Sequence, residues 1–198
     1  TGLPLPSYDL WEERRGILSF TTATVYGGLM AAANISDIFY HTEKSTLYRK
    51  TAAQIKKAID QYLYSEKHER FLRMIYPKKD GGYEIDATID ASLYGMFAFG
   101  VYEPTDIKIQ NTMKAIEESL WVKTNIGGIA RYEHDQYQRV GNDDAIPGNP
   151  WIICTMWLAQ YYVSTAKSVE DLERVVNYLR WTVSRALPSG VLAEQINP

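Results

Sequence analysis

A single cysteine, Cys154, stands among 198 residues. One thiol excludes an intramolecular disulfide and supplies no metal site by itself. It lies inside an apolar helical pattern and reads as a small buried hydrophobe, since a nucleophilic thiol would need a positioned base. Long hydrophobic runs are also missing. The longest, such as WIICTMWLA at 151–159, fall well short of the roughly 20 apolar residues that cross a bilayer. Nor is there an excess of positive charge. Twenty-one Lys and Arg stand against 24 Asp and Glu, with the signs interspersed, so there is no basic stripe to hold a phosphate backbone. A soluble protein is expected, with no nucleic-acid partner, no membrane partner and no metal. No signal-peptide pattern is visible, an absence that means little in a chain opening on a loop-like segment, and the cytoplasm is expected in preference to secretion. There is no strict internal repeat, which excludes the familiar solenoids.

Aromatic rings are plentiful: 15 Tyr and 5 Trp. They fill cores first, but their flat faces and polar edges also suit sugar rings. The length suits one domain with a substantial core. The dominant period is helical. Leu18, Phe20, Val25, Leu29, Met30, Ala33, Ile35 and Ile38 recur at helical spacing and predict a closely packed helix from Gly16 to Tyr40. A second, half-exposed helix is expected from Ser45 to Tyr64. RFLRMIYPKKDGGYEID, residues 70–86, alternates on both sides of a Pro/Gly turn and predicts a short β-hairpin. Its DGGYEID is no EF-hand loop, because the sixth and twelfth positions from Asp80 are Ile85 and Ala91 rather than Gly and Glu. Further helices are expected at 88–99, 104–121, 150–166 and 168–187, about six in all. Pro150 suits a first turn, and Ser168 with Asp171 resembles a capping box. The connection at 122–149 is far longer than most links between packed helices, and is expected to be ordered over a site.

Two segments carry candidate chemistry. In SYDLWEERRG, Asp9 and Glu12 have the spacing of a helix N-cap and its partner at N3. In GVLAEQINP, Glu194 lies among apolar neighbours, a setting that raises a carboxyl pKa and suits proton transfer. Each segment alone also has an ordinary reading, as a cap or as a solvated terminus.

Taken together, PSYDLWEE, GGIARYEHD, GNPWIICT and LAEQ resemble, in order and separation, the glucoamylase-type inverting glycoside hydrolases known as family fifteen. The resemblance spans essentially the whole chain. It implies an (α/α)6 barrel, polysaccharide degradation by release of glucose from the non-reducing ends of α-glucans, and no cofactor. It further implies that Glu12 is the general acid and Glu194 the general base. Asp9, Trp11 and Glu13 match positions that shape the sugar subsites around the acid. Arg131, Tyr132 and Glu133 match a loop that holds sugar hydroxyls. GNPW, residues 148–151, reads as a structural helix start without chemistry. LAEQ followed by INP is closer to prokaryotic members, among which trehalases and isomaltose- or dextran-type enzymes also occur. The family's barrel has twelve helices, so residues 1–198 are expected to be the C-terminal half of one catalytic domain. A half barrel should self-associate, through the face that the missing half would cover, or show little activity alone. The reading from a different class is a noncatalytic helical module that binds carbohydrate or another partner.

Overall fold

The computed structural model describes residues 2–139 and 145–198, which form two compact units. The first contains residues up to 87 together with 95–103; the second contains 88–94 and the chain from Pro104 onward.

The first unit begins with β1 (Ser7–Tyr8) and β2 (Arg15–Leu18), followed by α1 (Ser19–Ile38) and α2 (Thr42–Tyr62). Then come β3 (Tyr64–Ser65), β4 (Arg70–Phe71), β5 (Met74–Pro77), β6 (Tyr83–Asp86) and the one-turn α3 (Gly95–Ala98). The helix predicted from Gly16 starts at Ser19 because the preceding residues are taken by a sheet. Ile17 and Leu18 pair antiparallel with Ile75 and Met74, in a four-stranded sheet of order β1-β2-β5-β6. Ser19 N–H and Oγ–H then donate to the carbonyls of Arg73 (3.0 Å) and Leu72 (2.5 Å), which fixes where strand becomes helix. The predicted hairpin is β5–β6, turning through Gly81 and Gly82, both at positive φ. α1 and α2 form a hairpin across a three-residue link. Small and branched residues of the two helices, Ala23, Ala33, Ala52, Ile55, Ala58 and Ile59, are all buried.

Of the helix expected over 88–99, residues 95–98 form α3, while in the second unit residues 88–94 are an extended stretch and a 3-10 turn, Ala91–Tyr94. Asp90 pairs there with Tyr132, and the Ala91 N–H donates to Arg131 C=O at 2.7 Å, so backbone groups that a helix would need are taken by the long connection. α4 (Ile107–Leu120) begins after Asp106, whose carboxylate accepts the Lys108 N–H at 2.8 Å. One face of α4 (Ile109, Met113, Ile116, Leu120) is buried at helical spacing. The connection forms β7 (Ile129–Ala130), which pairs with β8 (Pro150–Trp151). α5 (Ile152–Thr165) and α6 (Glu173–Val183) follow. Pro150 therefore lies in a strand rather than a first turn. Cys154 is buried in α5, as its pattern predicts. Ser168 and Asp171 do form the reciprocal capping box, Asp171 N–H to Ser168 Oγ at 3.3 Å and Ser168 N–H to Asp171 Oδ2 at 3.0 Å. It caps a 3-10 turn, Glu170–Leu172, that leads into α6.

Candidate active site

DLWEE is not the start of a helix. Residues 9–14 form the loop between β1 and β2, closed by Asp9 N–H to Arg14 C=O at 2.8 Å. Asp9, with 7 % of its surface exposed, fills the loop from inside. Its carbonyl accepts the Glu12 N–H at 3.1 Å, and its Oδ1 accepts the N–H groups of Glu13 (2.8 Å) and Arg14 (3.2 Å). An Asp with Glu three residues on satisfies this loop as readily as a helix cap, because in both cases a short carboxylate binds backbone N–H groups just ahead of it. Glu12 stands on the loop with φ of 60°, in the left-handed region that side chains other than glycine rarely occupy. Its side chain is exposed, and among the described residues it makes no hydrogen bond or ion pair. Glu13 next to it is held by Arg14 Nη1 at 3.1 Å. Trp11 is half-buried beside them.

Glu194 belongs to the other unit. It too is exposed, with no side-chain hydrogen bond or ion pair among the described residues. The backbone around it is held down. Ile152 N–H reaches Glu194 C=O at 3.4 Å, and Ile196 N–H donates to Pro150 C=O at 2.9 Å. Gln195 pairs with Trp151 in an isolated bridge, and its Oε1 accepts from Asn149 Nδ2 at 2.8 Å. GNPW, read from sequence as a helix start without chemistry, is thus the seat of the LAEQ segment. Proximity in space, not any local pattern, reveals this.

The described part of the 122–149 connection is ordered; residues 140–144 lie outside the described residues. Its centre is Arg131, 2 % exposed, paired with Asp135 through Nε–Oδ2 and Nη2–Oδ1 contacts of 2.7 Å each. The guanidinium also lies over the rings of Tyr132, Tyr137 and Trp151, at 5.1, 4.8 and 4.8 Å from their centroids. A bidentate, ring-flanked arginine of this kind fixes geometry. Glu133 pins the connection to the segment before the 3-10 turn: its Oε2 accepts the Ile89 N–H at 2.7 Å and its own N–H donates to Ile89 C=O at 3.1 Å. Tyr132 is buried alongside. Asp135, which sequence reasoning did not single out, is the partner that makes Arg131 a framework residue. Among the described residues no group of three or more His, Cys, Asp or Glu is arranged to hold a metal ion, and no helix is long and apolar enough to cross a membrane.

The model of the glycosyl hydrolases family 15 matches residues 4–185. An uncharacterised glycosyl hydrolase of Methanocaldococcus jannaschii is 31 % identical over 202 residues, covering 97 % of this chain and 30 % of that protein. A glucoamylase of a Clostridium species is 26 % identical over 215 residues, covering 98 % and 30 %. The crystal structure of a bacterial glucoamylase complexed with acarbose superposes with a TM-score of 0.76 at 24 % identity, over 94 % of this chain and 30 % of that one. The chain spans about 30 % of the length of the curated relatives it matches. Its helices and small sheets are part of an (α/α)6 barrel, the architecture that the motifs imply. With the family model matched over most of its length and a relative 31 % identical along 97 % of it, this chain belongs to the glycosyl hydrolases of family 15.

Proposed function

We propose that the protein hydrolyses α-glucosidic bonds with inversion, releasing glucose from the non-reducing ends of α-glucans, with Glu12 as general acid and Glu194 as general base. One observation carries this reading. Of the acids in the matched motifs, Asp9, Glu13, Glu133 and Asp135 are each engaged by a donor of their own unit, whereas Glu12 and Glu194 present exposed carboxylates with no partner among the described residues. Both stand on loops whose backbones are fixed by buried neighbours. A catalytic carboxyl needs this combination: a held main chain and a functional group left available for substrate.

Breaking the bond requires a proton for the departing oxygen and a water activated from the opposite face of the ring. For inversion the two carboxyls must stand about 6.5–9.5 Å apart so that the water fits between base and sugar. The proton passes from Glu12 to the leaving oxygen as the C–O bond breaks. Glu194 takes a proton from water as the new C–O bond forms. Asp9 keeps the Glu12 loop in shape, Trp11 and Glu13 border the sugar beside it, and Arg131, Tyr132 and Glu133 hold the connection after α4 and, with it, sugar hydroxyls. The glucoamylase named among the relatives, and the acarbose bound to a structural neighbour, support an oligosaccharide substrate of this class. In this reading residues 1–198 are part of a single catalytic domain.

The test is kinetic and uses the protein at its natural full length. E12Q and E194Q should each lose about 10²–10⁴-fold in kcat, and NMR of the fresh product should show β-glucose, the inverted anomer. Turnover that survives both substitutions would indicate a module that binds sugar without cleaving it. Glucose release compared across maltose, isomaltose, trehalose and soluble starch assigns the linkage.

A further inference from the structure

We infer that Asn149 is a positioning residue for the base: its side-chain amide fixes the loop that carries Glu194, by holding Gln195. The inference rests on the reading of Glu194 as general base. Glu194 does nothing to fix itself, since its side chain is exposed and, among the described residues, unengaged, and Val191 and Leu192 before it are 58 % and 42 % exposed. The Ile152–Glu194 backbone contact is long at 3.4 Å. Anchoring falls to the residues just after Glu194, and among the described residues its single side-chain contribution is the 2.8 Å bond from Asn149 Nδ2 to Gln195 Oε1.

Asn149 is suited to this because it is immobile. It is 3 % exposed, and the same Nδ2 donates its second hydrogen to Gln138 C=O at 3.1 Å, so both hydrogens of the amide nitrogen are engaged. The residue before it, Gly148, packs against Asp135 so closely that a Cβ there would lie 2.7 Å from the Asp135 Cβ. Asp135 in turn is clamped by Arg131 and by its own N–H to Pro147 C=O at 2.8 Å. A rigid path therefore runs from the Arg131–Asp135 pair through Gly148 to Asn149, and from there to Gln195 beside the base. Catalytic groups lose rate steeply when displaced by about an ångström, so the loss of this bond should appear in turnover rather than in substrate binding.

The experiment compares N149A, Q195A and the double variant with E194Q in the full-length protein, using maltose and starch. Each single variant should lower kcat by tenfold or more with KM changed less than about threefold. The double variant should be no worse than the poorer single, because both remove one interaction. Q195A alters a half-buried residue and keeps the test decisive if N149A folds poorly. Unchanged kcat in Q195A, or losses that multiply in the double variant, would overturn the inference while E194Q remains inactive. If E194Q keeps its turnover, the base assignment and the positioning role both fall.

Discussion

Glu12 joins a left-handed backbone to an exposed, unpartnered carboxylate, and that pairing has an energetic signature. A non-glycine residue there costs about 1–2 kcal/mol in conformational strain, of the kind that accumulates at functional sites. E12G should therefore leave the thermal midpoint unchanged or raise it by a few degrees while turnover disappears. A fall of several degrees would mean that the carboxylate supports the fold and is not reserved for chemistry. Asp9 should behave in the opposite way. D9A removes an acceptor for two backbone N–H groups, and a cost of about 1–3 kcal/mol is expected, measured by denaturant unfolding. At this scale the residue types of the site were legible in DLWEE and LAEQ, but their settings were not. The Asp9–Glu12 spacing fits both a helix cap and a turn, and what decides between them is the pairing of Ile17 and Leu18 with Ile75 and Met74, more than fifty residues away. Cys154 was legible because burial alone sets its behaviour. Burial, with Asp90 nearby, pushes its thiol well above the usual range, so it should stay unmodified by a thiol reagent until denaturant is added.

Among the elements, the α5–α6 link shows how local signals do succeed. The capping box is a contact between residues three apart, and the chain satisfies it whatever the tertiary fold requires. Asp171 accepts N–H groups from Lys167 and Ser168, and these hold its carboxyl below the usual 3.8. Because the folded pKa is depressed, the stabilisation is complete above the unfolded value. It is lost as pH falls from about 4 through the folded pKa. Thermal midpoints of the parent protein should therefore drop more steeply than those of D171N below about pH 4, with the two slopes parallel above about pH 5. Element boundaries were less legible. Pro150 suits both a helix start and a short edge strand, so sequence alone points to a first turn; Ile129–Ala130, remote in sequence, draws it into the strand. The β7 turn is equally nonlocal in its demands. Gly128 has φ of 94°, and a Cβ would lie 2.4 Å from Trp181 Cζ2 and 2.9 Å from Pro150 Cβ. G128A should destabilise by about 2 kcal/mol or more, since strain and overpacking add.

At the scale of the whole chain, periodicity overstates how much of α1 is covered. The pattern from Leu18 to Ile38 predicts a closely packed helix, yet Val25, Ile35 and Ile38 are 38 %, 56 % and 70 % exposed. Phe39, Tyr40 and Leu47, around the turn into α2, are 66 %, 92 % and 58 % exposed. A sequence pattern records which side chains are apolar, not what covers them. Exposed apolar area of this kind is uncommon on monomers and marks a surface that meets another. The 198-residue chain on its own should therefore self-associate. Light scattering should give a mass above 22.6 kDa that rises with concentration. The association should strengthen in ammonium sulfate, which favours apolar burial. I38E combined with F39E should return the chain to a monomer without lowering its thermal midpoint, because neither side chain is packed within the first unit. A parent chain that stays monomeric at every concentration would show that the α1 face needs no partner, and that its apolar residues are tolerated in water.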